Sequence, residues 1–263
     1  MNQENLNINQ EISETKTTDV ALTSSMFAED AGSGLENVTS EDMAIPRLKI
    51  LQALSPEVNK NDGKYVQGAS AGDVLNTVTN TLYTDDNPLV VLPVAYKRLF
   101  LEWTPRESGG GLVAQHDDPS ILEKTTKNNF GQDALPNGNY IQTSATHFLL
   151  VINQDGSFDQ AMLAMAGTQL KKSRTWNSMM ASAKMNVDGK VFTPPSFSHK
   201  YTLKTVQESN DRGAWFGWSI TSGGALSKDE MVYYEAAKNF AASVGSMSFG
   251  GTTSDDSGTE APF

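Results

Sequence analysis

The densest apolar run in the chain is Leu89 to Val94, after which apolar positions thin into Tyr96, Phe100 and Trp103 among charged neighbours. A run that short and that rich in β-branched residues predicts a buried strand. A hairpin is predicted from Phe148–Ile152 and Phe158–Met165, joined through Asp155–Gly156, a dipeptide suited to a tight turn. The stretch "GKYVQGASAGDVLNTVTNTLY" is punctuated by glycine and reads as short strands with turns. Then the period changes. Leu170, Ser173, Trp176, Met180 and Ala183 recur every three or four residues and predict one face of a helix, with Thr168 as its N-cap. Two strands follow, "SHKYTLKTVQ" and "GAWFGWSIT". A last helix, from Ser227 to about Val244, is expected to present Met231, Tyr234, Ala237, Lys238 and Ala241 near one side. This order predicts a mainly β fold with helical insertions (α+β), an antiparallel barrel or sandwich and not a parallel sheet.

Residues 1–40 lack that patterning. They are rich in Asn, Gln, Glu, Ser and Thr, and disorder is expected there. Order is expected to begin near "AIPRLKILQALSP". The division is therefore an acidic arm over 1–43, a folded domain over 44–246 and a flexible acidic tail over 247–263. The net charge of −11 follows the same division. Residues 1–44 carry nine acids against Lys16, and residues 251–263 carry Asp255, Asp256 and Glu260 with no base, so the body between them sums to zero. Within that body, residues 160–207 hold Lys171, Lys172, Arg174, Lys184, Lys190, Lys200 and Lys204 against Asp188 alone. A basic patch between acidic ends is a different object from an acidic protein. The absence of cysteine excludes disulfides, a thiol nucleophile and thiolate metal ligands. No stretch approaches the roughly 20 apolar residues of a membrane span, and the acidic N-terminus lacks a signal-peptide pattern. A soluble, cytoplasmic protein with no membrane partner is expected.

Enzyme chemistry finds little support. His116, His147 and His199 are far apart, no metal-ligand spacing occurs, and "GGGLV" lacks the Lys–Ser/Thr pair of a phosphate-binding loop. No cofactor and no metal site are expected. A nuclease using Asp117, Asp118 or Asp133 stays open, because such acids are often scattered in sequence. Nucleic acid fits better. Single strands are held by cations along the phosphates and by aromatic faces on which bases stack. Residues 171–204 interleave these types as Lys171, Lys172, Arg174, Trp176, Lys184, Lys190, Lys200, Tyr201 and Lys204, with Trp215 beyond. A second cluster joins Lys97, Arg98 and Arg106 to Tyr96, Phe100 and Trp103. Taken singly, an aromatic on a strand is more often core than platform, and a lysine-rich face is usually just solvated. The local excess of positive charge is what raises the set above its parts.

The chain ends "TTSDDSGTEAPF", a polar acidic run closed by an apolar ring beside the terminal carboxylate. Asp255, Asp256, Glu260, Pro262 and Phe263 resemble the acidic tip of bacterial single-stranded-DNA-binding proteins, which ends in acids, a small apolar residue, Pro and Phe. Only two acids are adjacent here, so affinity or specificity for partners is expected to differ. The body, with "IPRLKILQALSPEV", "YVQGASAGDVLNTVT", "EWTPRESGGG" and "TQLKKSRTWNSM", is similar over residues 44–220 to tailed-phage proteins of that role. The resemblance implies an OB-like barrel that binds single-stranded DNA during replication, recombination and repair. It also implies a tail that recruits replication or recombination enzymes, in the host cytoplasm if phage-encoded. Strand annealing is compatible with the same residues, and homo-oligomerisation is left open. The rival expectation is a regulatory or structural phage protein that recruits a host enzyme such as RNA polymerase.

Overall fold

The structure is a computed structural model that describes residues 27–38, 42–211 and 213–244. Its contacts divide the chain into residues 1–44 and residues 45–263. In the first unit, residues 27–38 hold one short helical turn with every side chain exposed. The expected disorder of the acidic arm falls largely, and that of the tail wholly, outside the described residues.

The second unit is mainly β. Its strands are β1 (Leu48–Ile50), β2 (Val74–Asn76), β3 (Leu82–Tyr83), β4 (Leu89–Trp103), β5 (Leu112–His116), β6 (Thr126–Lys127) and β7 (Asp133–Ala134). They continue with β8 (Tyr140–Ile152), β9 (Phe158–Ala166), β10 (Met185–Val187), β11 (Lys190–Phe192), β12 (His199–Asn210) and β13 (Gly213–Ala225). Helices α1 (Leu170–Ser182) and α2 (Met231–Val244) follow β9 and β13. One curled antiparallel half-barrel sheet runs β13-β12-β4-β8-β7-β6, with β5 also paired to β4 and β9 to β8. A small sheet, β1-β2-β3, and the hairpin β10-β11 complete the set.

Local chemistry explains most of this. Leu89 and Val91 enter one core with Leu149, Val151, Leu163, Met165, Tyr201 and Leu203, while Leu92 and Val94 enter a second with Phe148 and Leu150. A strand covered on both faces has no polar side to show, so its apolar run is unbroken. The register slips between Pro93 and Ala95, where a residue without an amide hydrogen costs the ladder least, and the bulge helps β4 to curl. The hairpin forms where expected, its turn closed by Asn153 and Ser157 with Gly156 at φ 84°.

Two helix expectations are corrected. Thr168 does not cap α1. Residues Gly167–Gln169 form a 3-10 turn, and the Gln169 side chain instead accepts a hydrogen bond from the Trp218 amide at 2.9 Å. The helix face itself is as expected, with Ser173 and Trp176 buried and Leu170 and Met180 packed against the first core. The last helical segment starts at Ser227 as expected, where a Ser227–Glu230 capping box opens a 3-10 turn leading into α2, but the buried positions are Ala237, Phe240 and Val244. Met231 and Lys238 face outward, because Phe240 is the ring that packs edge-on against Phe148 at 6.4 Å.

The small sheet is tied to the far edge of the large one by side chains. Gln52 donates to the Phe216 carbonyl at 2.9 Å and accepts from the Phe216 amide at 2.8 Å, as a neighbouring strand would. Thr205 donates to the Gly72 carbonyl. Gly72 has φ 99°, and a Cβ there would stand 2.8 Å from the Phe216 ring, so only glycine fits.

Candidate nucleic-acid interface

Where the second half of β4 lies beside the first half of β8, the packed core gives way to a groove of about 1110 Å³. Leu101 and Trp103 pair with Gln142 and Tyr140 across the two strands, and all four line it. Ala164 and Ala166 of β9 and Trp215, Phe216 and Trp218 of β13 line it as well. Arg47 and Arg106 stand among the lining residues. The loop carrying Arg106 turns back through Gly109, Gly110 and Gly111, all at positive φ, and closes by a hydrogen bond from the Thr104 amide to the Gly111 carbonyl at 3.0 Å. At the lip, Phe130 is 79% exposed on the turn between β6 and β7, where Asn128 accepts hydrogen bonds from the Phe130 and Gln132 amides.

Three of the groove's side-chain amides are engaged within the protein. Gln52 is spent on Phe216, Gln169 on Trp218 and Glu208, and Asn128 on Gln132. The lining combines the rings of Trp103, Phe130, Tyr140 and Phe216 with two arginines, Arg47 and Arg106, against one acid, Glu107, a set suited to stacking and backbone contacts.

A half-buried network holds β13 beside the groove. Glu208 accepts from the indole N–H of Trp215 at 3.1 Å and from Gln169 at 3.3 Å, and pairs with Lys172 at 2.7 Å. Burial pushes the Glu208 carboxyl up, but the hydrogen bonds from Lys172, Gln169 and Trp215 outweigh it and leave it below the usual carboxylate range. On β4, Glu102 accepts from Asn139 at 2.6 Å and contacts His116 at 3.0 Å, pinning the loop before β8. The Asn139 bond is the main reason its carboxyl stays low against the cost of burial.

The sequence-derived residues sort into four groups. Arg106 and Trp215 line the groove. Trp176 and Tyr201 are core: Trp176 is 0% exposed, stacked on His147 at 4.6 Å and edge-on to Tyr201 at 5.6 Å, so its faces are already covered. That corrects their assignment as stacking platforms. Lys172, Lys200 and Lys204 are engaged by Glu208, Glu230 and Asp85, so much of the positive charge expected of this segment is neutralised. Lys171, Arg174, Lys190 and Arg98 are exposed and form no ion pair among the described residues, while Lys184 bonds the neutral oxygens of Ala181 and Thr193. Lys97, on the same strand as Arg98, does not line the groove. Trp103 belonged to the second cluster seen in the sequence. Phe130 and Tyr140 lie in a stretch with little charge patterning and gave no signal. Asp255, Asp256, Glu260, Pro262 and Phe263 lie outside the described residues. Asp117 and Asp118 sit at a turn where Asp118 accepts from the Ser120 amide, and Asp133 pairs with Lys127. Among the described residues, no three His, Asp or Glu side chains converge as a metal site, and no helix is long and apolar enough to cross a membrane.

The family model described as Pam3 phage gp34-like protein matches residues 14–249. The chain belongs to that phage family. Neither a curated protein nor a solved structure matches it.

His147 gives a pH signature beside the site. Its Nε2 meets the Ser173 hydroxyl at 2.8 Å, and burial pushes its pKa down to about 4. The unfolded chain takes up this proton below about pH 6.5, so the folded state loses stability as pH falls from 6.5 towards 4. At pH 5 the loss is about 2 kcal/mol relative to pH 7.5. Urea unfolding at the two pH values checks it; in His147→Gln that slope disappears, whatever the variant's own stability. The lowered carboxyls of Glu102 and Glu208 add a loss at the acid end of this window, setting in as pH falls through their ordinary value of 4.5 and continuing below it.

Proposed function

We propose that this phage-family protein is a non-enzymatic single-stranded-DNA-binding protein of OB-like architecture, holding the strand in the groove between β4, β8 and β13. It coats DNA during replication, recombination or repair. The reading is carried by one observation: an open groove lined by four rings, the exposed Phe130 with Trp103, Tyr140 and Phe216, and by Arg47 and Arg106. Rings at that density with cations beside them match the way unpaired bases and their phosphates are held. The engagement of Gln52, Asn128 and Gln169 within the protein leaves rings and cations as the main contacts, which favours binding with little sequence preference. Asp255, Asp256, Glu260, Pro262 and Phe263 serve as the recruiting element for replication or recombination enzymes, separate from the strand-binding surface.

The test is intrinsic tryptophan fluorescence during titration with oligo-dT. Bases stacking in the groove quench Trp103 while the enclosed Trp176 keeps its emission, so quenching is partial and saturable. Protein lacking residues 251–263 quenches equally, since the tail is assigned to partners. The absence of any quenching, with or without the tail, overturns the reading.

A further inference from the structure

Of the cations clustered between residues 171 and 204, those that escape ion pairing are not scattered. Helix α1 begins at the groove, whose lining includes Thr168 and Gln169, and its 13 residues carry it about 20 Å away. Lys171 and Arg174, three residues apart, share its exposed side. At its far end lies a second pocket, of about 270 Å³, between α1, β4 and residues 193–196. Pro93, Tyr96, Met180 and Pro194 give this pocket apolar walls, and no acid lines it. Tyr96 is 38% exposed, with one side tilted against His147 at 5.1 Å. His147 also lines the pocket, and its Nδ1 has no hydrogen-bond partner. At the rim, Lys184 bonds Thr193 and the Ala181 carbonyl, both uncharged, so its positive charge is uncompensated. Arg98 follows Tyr96 by two residues on the same face of β4 and is exposed.

We propose that this pocket is a second nucleotide subsite, reached by the strand as it leaves the groove along Lys171 and Arg174. A base rests against Tyr96 within the apolar walls, and the phosphates on either side meet Arg174 and Lys184. Charge selects the occupant: an apolar slot surrounded by uncompensated cations and without acids suits a ring carried on a polyanion. The inference rests on the single-stranded-DNA reading and enlarges it. The binding site becomes two base-holding parts joined by a cationic track, and affinity rises in a second step once an oligonucleotide is long enough to span both.

The experiment compares oligo-dT of about 6 and about 20 nucleotides, within and beyond the span of a single OB-type site, by anisotropy across a salt series. For Tyr96→Ala, affinity for the long oligonucleotide falls about tenfold, in the range of one lost base stack, while the short one binds as to wild type. Tyr96→Phe, which keeps the ring, behaves as wild type on both. For the Arg174→Ala/Lys184→Ala double variant, the salt slope on the long oligonucleotide shrinks by about 1.4, two phosphate contacts, with no change on the short one. Equal losses on both lengths, or on neither, overturn the second subsite while leaving the groove in place. Failure of wild type to bind either length overturns the groove reading as well.

Discussion

Trp176→Ala costs the protein about 3–5 kcal/mol of folding stability, the range for truncating a fully enclosed large aromatic. The indole joins α1 to two strands, stacked on His147 of β8 and edge-on to Tyr201 of β12, with no part exposed. No neighbouring side chain can swing in to fill the space, since all three rings are held by their own elements. Against a typical total of 5–15 kcal/mol, such a loss leaves the folded state marginal at 37 °C. Trp176→Phe is expected to be far milder. The indole N–H has no hydrogen-bond partner, so exchanging it for a ring without a donor removes an uncompensated polar atom along with some volume. Urea unfolding of the two variants checks both expectations. An alanine variant of unchanged stability that had lost oligonucleotide binding would return Trp176 to the binding surface.

Phe130→Ala has the opposite profile. The ring is 79% exposed and belongs to neither core, so stability stays within about 0.5 kcal/mol of wild type, as for an ordinary surface change. Affinity for oligo-dT falls by about 1–3 kcal/mol, one base stack, which is roughly 5- to 150-fold. Asn128 orders the backbone of this turn by accepting from both the Phe130 and Gln132 amides, which places the ring's base at the groove lip. Parallel anisotropy and urea titrations separate the two effects. Unchanged affinity would mean that bases do not pass over this lip.

The contrast between these two rings shows what was readable in the chain and what was not. The β8–β9 hairpin announced itself through Asp155–Gly156, and the unbroken run from Leu89 to Val94 announced a strand with both faces covered, since each signal is local. The buried face of α1 was equally plain from spacing. The role of Trp176 was not, because a ring interleaved with lysines looks the same whether it points to a base or into the core. Only the arrival of His147 from another strand decides it. Pairing of the cations was hidden for the same reason. Lys204 meets Asp85 across 119 residues of sequence, and Lys172 and Lys200 meet acids 36 and 30 residues away, so the local excess of positive charge overstated what remains exposed. Phe130 and Tyr140 come to the groove from a stretch with no charge pattern, brought there by strand pairing alone.

A preference for single-stranded over duplex DNA is the property on which the assigned groove depends most directly. The direct measurement is anisotropy of a labelled oligo-dT of about 30 nucleotides, long enough for both parts of the site, titrated at two salt concentrations beside a duplex of the same length. The account predicts tighter binding to the single strand, with log K falling by about 0.7 per phosphate contact for each unit of log salt. Binding that favours the duplex, or no binding at low salt even after residues 251–263 are removed, would contradict it.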